Sequence, residues 1–557
     1  MAASDPATDV PTPTGVLQGV AAFSWDGAAW QPSGRAGPSV ATPTGVLRGV
    51  APFTGSGTSW TPAGRAQPGV PTPSGVLDGV AVYTWSGAAW TPPGGQSTPA
   101  TPTGTLRGVA AFNWDGAAWQ PAAQAGAEVA TPYGVLDGVA MFNWSGSAWA
   151  AVGAPSLSLD FMQPGTLDPR ITFTRASTGT YFDSAGVMQT VATNAPRWDY
   201  DPATRALRGL LIEEARTNVI KMSGNPADAT WWSSFQGTVA ANVGVAPDGT
   251  TTAAQITSTG APGGRYSTFE AQTSGVTYSS GCFVKWISGP TTLRVVLAGQ
   301  SVFGGVGGDR YVDFNGQTGA FVGKHTDVTA YTITQLLNGW WRVSGTYTPT
   351  GNSSTGVALY AAASGTVFQG WGGQIEVGAF ATSYIPTTIA PVTRAADIAS
   401  MPVGAWFNAS ASTLFGEFIY PRPIDAFNAH DLAVIGNNVE TNGNHLTLRA
   451  TDGGAPPLLP KVNTGIGAGG ATLAPTGTPD IGGIARLAGA WSGTASFACL
   501  NGNAVTTIAA GMPAGLTTLV IGNRTVGGTG SPLNGYIRAV RYWPRVLTNA
   551  EMQSVTA

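Results

Sequence analysis

One short phrase occurs five times in the first 150 residues, and it limits the chain to a modular build. The first copy reads TPTGVLQGVAAFSWDGAAW, Thr12 to Trp30. The others run near Thr42 to Trp60, Thr72 to Trp90, Thr101 to Trp119 and Thr131 to Trp149. The period is 30 residues, with one step of 29. A unit this short cannot bury a core alone, so each must lean on a neighbour or on another chain. Such an array suits attachment, extension and display better than catalysis.

Each copy carries a hairpin signal. Trp25 is followed by Asp26-Gly27, then Ala28, Ala29 and Trp30. Asp-Gly and Ser-Gly favour tight turns, because glycine accepts positive φ. A two-residue turn sets Trp30 opposite Phe23, whereas a four-residue loop sets it opposite Trp25. Either one gathers Phe23, Trp25 and Trp30 on one face. The same trio returns as Tyr83, Trp85, Trp90, as Phe112, Trp114, Trp119, and as Phe142, Trp144, Trp149. Cross-strand pairs of this kind contribute roughly 0.2–1 kcal/mol each. The second copy keeps Phe53 and Trp60 but has Gly55 between them, so its core is expected to be the weakest. An isolated hairpin is marginal in water. These anchoring aromatics must therefore pack between hairpins, dock on a larger assembly, or form a ladder for sugar. Connectors such as QPSGRAGPSVATPTG read as extended linkers.

With 557 residues, several domains are expected. Gly 78 and Pro 40 imply many turns, while 43% apolar residues and 19 Trp argue against disorder. An all-β protein fits: the hairpin array over residues 1–155, then two β-sandwich (jelly-roll) domains. The net charge of −3 lacks the basic surface that nucleic-acid binding needs. Cys282 and Cys499 read as buried thiols rather than a disulfide. No run of about 18 apolar residues suggests a membrane span. The opening MAASDPATDVPTP has no basic n-region and no apolar h-region, so a secretory signal is not expected.

A different texture fills residues 156–222. Its pieces are Phe173-Thr174-Arg175-Ala176-Ser177, Tyr181-Phe182-Asp183, Asn194-Ala195-Pro196-Arg197 and Leu210-Leu211-Ile212-Glu213-Glu214-Ala215-Arg216-Thr217-Asn218. In order and spacing they resemble a leader segment of tailed-phage virion proteins, including head-spike and tail-fibre proteins. Glu213 and Glu214 are adjacent on a strand and so point to opposite faces. They cannot flank one glycosidic bond, and arginine–carboxylate pairing at a junction is the expectation.

Residues 223–400 contain about eight short strand-like runs between Gly and Asn turns. Their order, and the closing GAFATSYIPT (Gly378 to Thr387) with Arg394-Ala395-Ala396-Asp397, resemble the carbohydrate-binding-module-like domain that follows that leader. A sugar platform needs exposed rings with polar neighbours. Trp231, Trp232, Tyr266, Tyr360 and Trp371 are the carbohydrate-binding candidates, with core packing as the competing account for each.

Residues 401–557 resemble a laminin-G or concanavalin-like jelly roll, most clearly at LNGYIRAVRYWPRVL (Leu533 to Leu547). Alternation puts Tyr536, Arg538, Val540 and Tyr542 on one strand face and Ile537, Ala539, Arg541 and Trp543 on the other. Thr548 and Glu551 form a capping-box pattern, with Leu547 and Met552 as a staple, so one short helix is expected. Asp431, Asn437, Asn438 and Glu440 match no defined calcium loop and read as solvated turn residues.

No catalytic set is evident. His325, His430 and His445 fall in no metal-ligand spacing, and no G-x-S-x-G elbow occurs. Gly465, Gly467 and Gly470 satisfy GxGxxG, but no helix can follow them through Pro475. Neither metal nor cofactor is expected. The resemblance implies a virion protein, a tail fibre or head spike that binds host-surface polysaccharide. It implies other virion proteins as partners, a homotrimer, assembly in a host cytoplasm and release by lysis. A decoration or tail protein without sugar binding, and a capsule-degrading tailspike, remain the alternatives.

Overall fold

The computed structural model describes residues 155–557, except 304–307, 420–428, 439–442, 452–458, 468, 481 and 528–530, and only the strand backbones within residues 1–154. The chain divides into two units, Met1–Ala154 and Pro155–Ala557. Both are built from strands. Among the described residues the one α-helix is Asn549–Thr556, and no helix is long and apolar enough to cross a membrane.

In the first unit, Val16–Gln18, Val46–Arg48, Ser74–Asp78, Thr103–Arg107 and Gly134–Leu136 form a parallel sheet. Each strand pairs with the same position of the next repeat, as in Val16 with Val46 and Val46 with Val76. Short antiparallel pairs lie between these strands in sequence. Trp25 stands opposite Trp30, and Trp114 opposite Trp119. That register corresponds to the four-residue loop. Gly55 pairs with Trp60, so the second repeat has no ring opposite its tryptophan. The packing of the array's aromatic side chains, Phe23 through Trp149, lies outside the described residues.

The second unit holds two sandwiches. The middle one has two six-stranded antiparallel sheets. Its front sheet runs in the order Trp232–Phe235, Gly263–Ser267, Ala358–Ala361, Thr292–Ala298, Arg310–Asn315, Phe321–Lys324. Its back sheet runs Gly237–Gly244, Ala253–Ser258, Val367–Val377, Tyr278–Ser288, Trp340–Tyr347, Ala330–Gln335. Alternation makes the core. Leu293, Val295 and Leu297 of one front strand meet Val312, Phe314, Leu359, Val284, Val343 and Phe368. Each such side chain contributes roughly 1.5–3 kcal/mol by leaving water. Cys282 is buried in this core, and Cys499 in that of the terminal sandwich; both are free thiols.

The terminal sandwich pairs an eight-stranded sheet with a seven-stranded one. The stretch 156–222 is not a separate layer between domains. Leu157–Asp160 and Leu207–Ile212 both pair with Gly535–Trp543 in the first sheet, and Thr172–Thr174 pairs with Ile398–Pro402 in the second. Leu157, Leu159, Phe173, Leu210 and Ile212 share one core with Leu414, Leu448, Trp491 and Tyr542. The middle sandwich is thus inserted within the terminal one. Its way in and way out, Arg216–Asn218 and Val392–Arg394, pair as a two-stranded neck.

The alternation expected along Gly535–Trp543 fails at one point. Glu417 pairs with Ala539 but Phe418 with Ile537, leaving Arg538 as an extra residue. This bulge resets the alternation, so Ile537 and Val540 both enter the core. The helix forms as its caps dictate. Thr548 Oγ1 accepts from the Glu551 amide at 3.3 Å, and Glu551 Oε2 accepts from the Thr548 amide at 2.7 Å. Asp431 is no turn residue. It lies fully buried in a strand between Arg449 and Arg524, each at 2.8 Å. Asn437 and Asn438 follow that strand, and Glu440 lies outside the described residues.

A buried ionic hub ties the neck to the segment 156–222. Asp397 accepts from Arg175 Nη1 at 2.9 Å and also from Arg197. Glu213 takes Arg197 Nη1 at 2.8 Å and Arg394 Nη1 at 3.1 Å. Glu214 turns the other way, to Arg216. Burial pushes the Glu213 carboxyl up, but Arg394, Arg197 and Ser383 outweigh it and hold its pKa down at about 2.

Candidate functional site

The outward face of the front sheet carries an aromatic and charged surface. Leu359, Val295 and Val312 point inward, so their neighbours point out. The register lines those neighbours up in two rows. One row is Phe235, Gly264, Tyr360, Arg294, Asp313. The other is Ser233, Tyr266, Ala358, Val296, Tyr311.

Rings and charges meet along these rows. Phe235 and Tyr360 lie 5.8 Å apart across the intervening strand. Gly264 makes that contact possible, because a Cβ there would collide with the Leu359 carbonyl and stand 3.0 Å from the Tyr360 ring. Tyr266 packs against Phe269 at 5.9 Å. Phe235 is 42% exposed and Phe269 59%, so the patch opens to solvent. Beside it, Arg294 grips Asp313 through Nε and Nη2, both at 2.7 Å. The same guanidinium sits 3.7 Å from the Tyr311 ring centre, and His325 meets that ring edge-on at 6.3 Å. The Asp313 bond raises the Arg294 pKa against the opposing effect of burial. The Tyr360 hydroxyl is pushed up first by burial, then by Asp309 and Tyr266, so it stays protonated and can donate.

This arrangement can do one thing well. Flat apolar rings accept the C–H face of a pyranose, while a fixed arginine–aspartate fork and a hydroxyl orient its polar rim.

The five aromatic candidates separate. Tyr266 and Tyr360 share this face, but only Tyr266 is partly exposed; Tyr360 is 9% exposed and packs beneath Phe235. Trp232 is 1% exposed in the core, with its indole N–H donated to the Met222 carbonyl at 3.1 Å. Trp371 is also buried, packed on Phe283 and Tyr384, and donates to Thr252. Core packing therefore accounts for both. Trp231 is half-buried just before the front sheet's edge strand, packed against the core and under the Lys221 ammonium at 5.0 Å. Phe235, Phe269, Tyr311, Arg294 and Asp313 escaped the sequence reading. Alternation held a signal for three of them: in TLRVVLA and RYVDFN, Arg294, Tyr311 and Asp313 fall out of phase with the apolar residues.

No family model matches the chain, and no curated protein matches it. Among solved structures it is similar to the CBM40 of Ruminococcus gnavus IT-sialidase, at 18% identity over 27% of this chain and 84% of that one, TM-score 0.22. It is similar to the CBM22-1-CBM22-2 tandem of Paenibacillus barcinonensis Xyn10C, at 11% identity over 58% and 96%, TM-score 0.20. Domains LG4-5 of mouse laminin α1 also match, at 11% identity over 61% and 93%, TM-score 0.18. At such scores these likenesses carry no argument about what this chain binds.

Proposed function

We propose that this chain is a phage virion attachment protein, a tail fibre or head spike, that binds host-surface polysaccharide without cleaving it. The observation that carries the binding role is the face on which Phe235 and Phe269 open to solvent, backed by half-buried Tyr266 and buried Tyr360, beside the Arg294–Asp313 fork. The leader motifs and the repeat array support the virion role. In this reading the array mounts the protein on other virion proteins, and a homotrimer multiplies weak sites into avidity.

A glycan array tests the binding role. Tyr266→Ala and Phe269→Ala, both at the exposed end of the face, are expected to weaken retention about tenfold each, with unfolding unchanged. Equal retention by both variants would remove the face from the proposal. Release of reducing ends from a bound polysaccharide would replace binding with cleavage. Labelled-particle imaging tests the virion role, and absence from purified particles would end it.

A further inference from the structure

The back sheet of the middle sandwich and the first sheet of the terminal one enclose a second cleft, of about 590 Å³. That volume suits a small ligand. It is separate from the front face, which lies on the opposite side of the middle sandwich. Its walls differ from that face in kind. One wall is rich in hydroxyls, with Thr332, Thr334, Ser344 and Thr346 standing in register on two neighbouring strands. Arg342 rises among them, directly opposite Thr334 in the ladder. The facing wall brings Arg208, Tyr536 and Arg538.

The charges on the two walls are not equally satisfied. Arg208 pairs with Asp201 at 2.7 Å and reaches the Tyr536 hydroxyl at 3.2 Å. Arg538 pairs with Glu417 at 2.7 Å. Arg342 has no carboxylate partner among the described residues. Its hydrogen bond runs from Nη2 to the Thr382 carbonyl at 2.6 Å, and its guanidinium lies 5.4 Å from the Phe283 ring centre. Glu376 is nearby but committed elsewhere: it accepts from the Thr382 amide at 2.6 Å, the Thr382 hydroxyl at 2.8 Å and Ser279 at 3.3 Å. A half-buried guanidinium has lost part of its water, and burial lowers its pKa more than the neighbouring carboxylates restore it. Of the cleft's three arginines, it alone makes no ion pair among the described residues.

We infer that this cleft is a second saccharide site, selective for a carboxylate-bearing sugar. The sugar carboxylate pairs with Arg342, and the threonine and serine hydroxyls take its ring hydroxyls. Arginine suits this task because its planar fork meets both carboxylate oxygens. On the front face, Arg294 is already taken by Asp313. The two sites therefore divide the work, one reading apolar sugar faces and the other reading acid groups.

Calorimetric titration of the full chain with glucuronate and galacturonate oligosaccharides, and with their methyl esters, tests this. The acids are expected to bind about tenfold or more tightly than the neutral esters. Arg342→Gln should abolish that preference, and Arg342→Lys should restore only part of it. Tyr266→Ala should leave it intact, which separates failure of this site from failure of the front face. Since Arg342 also holds the Thr382 carbonyl, Thr334→Tyr provides an independent block that fills the cleft without touching the charge. Equal binding of acid and ester, no binding of any acid in the panel, or an undiminished preference in Arg342→Gln would overturn the inference.

Discussion

Asp397 is fully buried, and two arginines depend on it. Replacing it with asparagine leaves Arg175 and Arg197 short of counter-charge inside the protein. Breaking a buried pair in this way costs about 3–5 kcal/mol. Asp397→Asn is therefore expected to lower the urea midpoint by an amount easily read from intrinsic tryptophan fluorescence. The same hub sets a pH dependence. Glu213 has a folded pKa of about 2, below its ordinary 4.5. A depressed carboxylate stabilises the fold fully above its unfolded pKa and loses that contribution as pH falls through the folded one. Urea midpoints should thus drop between pH 4.5 and pH 2, and Glu213→Gln should flatten that part of the curve. An unchanged slope in the variant would assign the acid sensitivity to other groups.

Elements show where local sequence was enough and where it was not. The final helix was legible to the residue, because a capping box is a purely local contract between Thr548 and Glu551. Thr548→Ala is expected to cost about 1 kcal/mol, measured as a shift in thermal unfolding. Strand alternation is legible in Arg310–Asn315 and in Thr292–Ala298 up to Val296, after which a bulge puts both Leu297 and Ala298 in the core. It failed in Gly535–Trp543, because the bulge at Arg538 depends on how the partner strand through Glu417 and Phe418 lies. The candidate face was half legible for the same reason. Tyr266 and Tyr360 stood out as aromatic residues, but their alignment with Phe235 and Arg294 needed the order of strands. That order joins residue 235 to 264, 264 to 360 and 360 to 294, far apart in the chain. Trp232 and Trp371 drew notice for being tryptophans, and packing rather than ring type decided their place.

At the scale of the whole molecule, the linear division at residues 222 and 400 hides an interleaved design. The terminal sandwich needs strands from both sides of the middle one, whereas every strand of the middle sandwich's two sheets lies between the neck strands, Met188 joining Trp340 and Trp371 in a buried cluster from outside them. A fragment spanning 216–394 is expected to fold alone, with dispersed amide signals in its NMR spectrum. A fragment of 401–557 should not, since it lacks Leu157–Asp160, Leu207–Ile212, Thr172–Thr174 and most of Ile398–Pro402. A cooperative unfolding transition in that shorter fragment would refute the interleaving as a folding requirement.

The insertion also fixes a timetable for synthesis. Ser156 hydrogen-bonds to the Tyr542 carbonyl, 386 residues further along the chain. At roughly 5–20 residues per second, the early strands of the terminal sandwich wait on the order of 20–80 s for the strand that completes their sheet. The middle sandwich emerges whole within that interval and can fold first, drawing the neck strands together. A ribosome-bound chain would then hold its unfinished strands on either side of a finished module, close enough to meet when the last strand arrives.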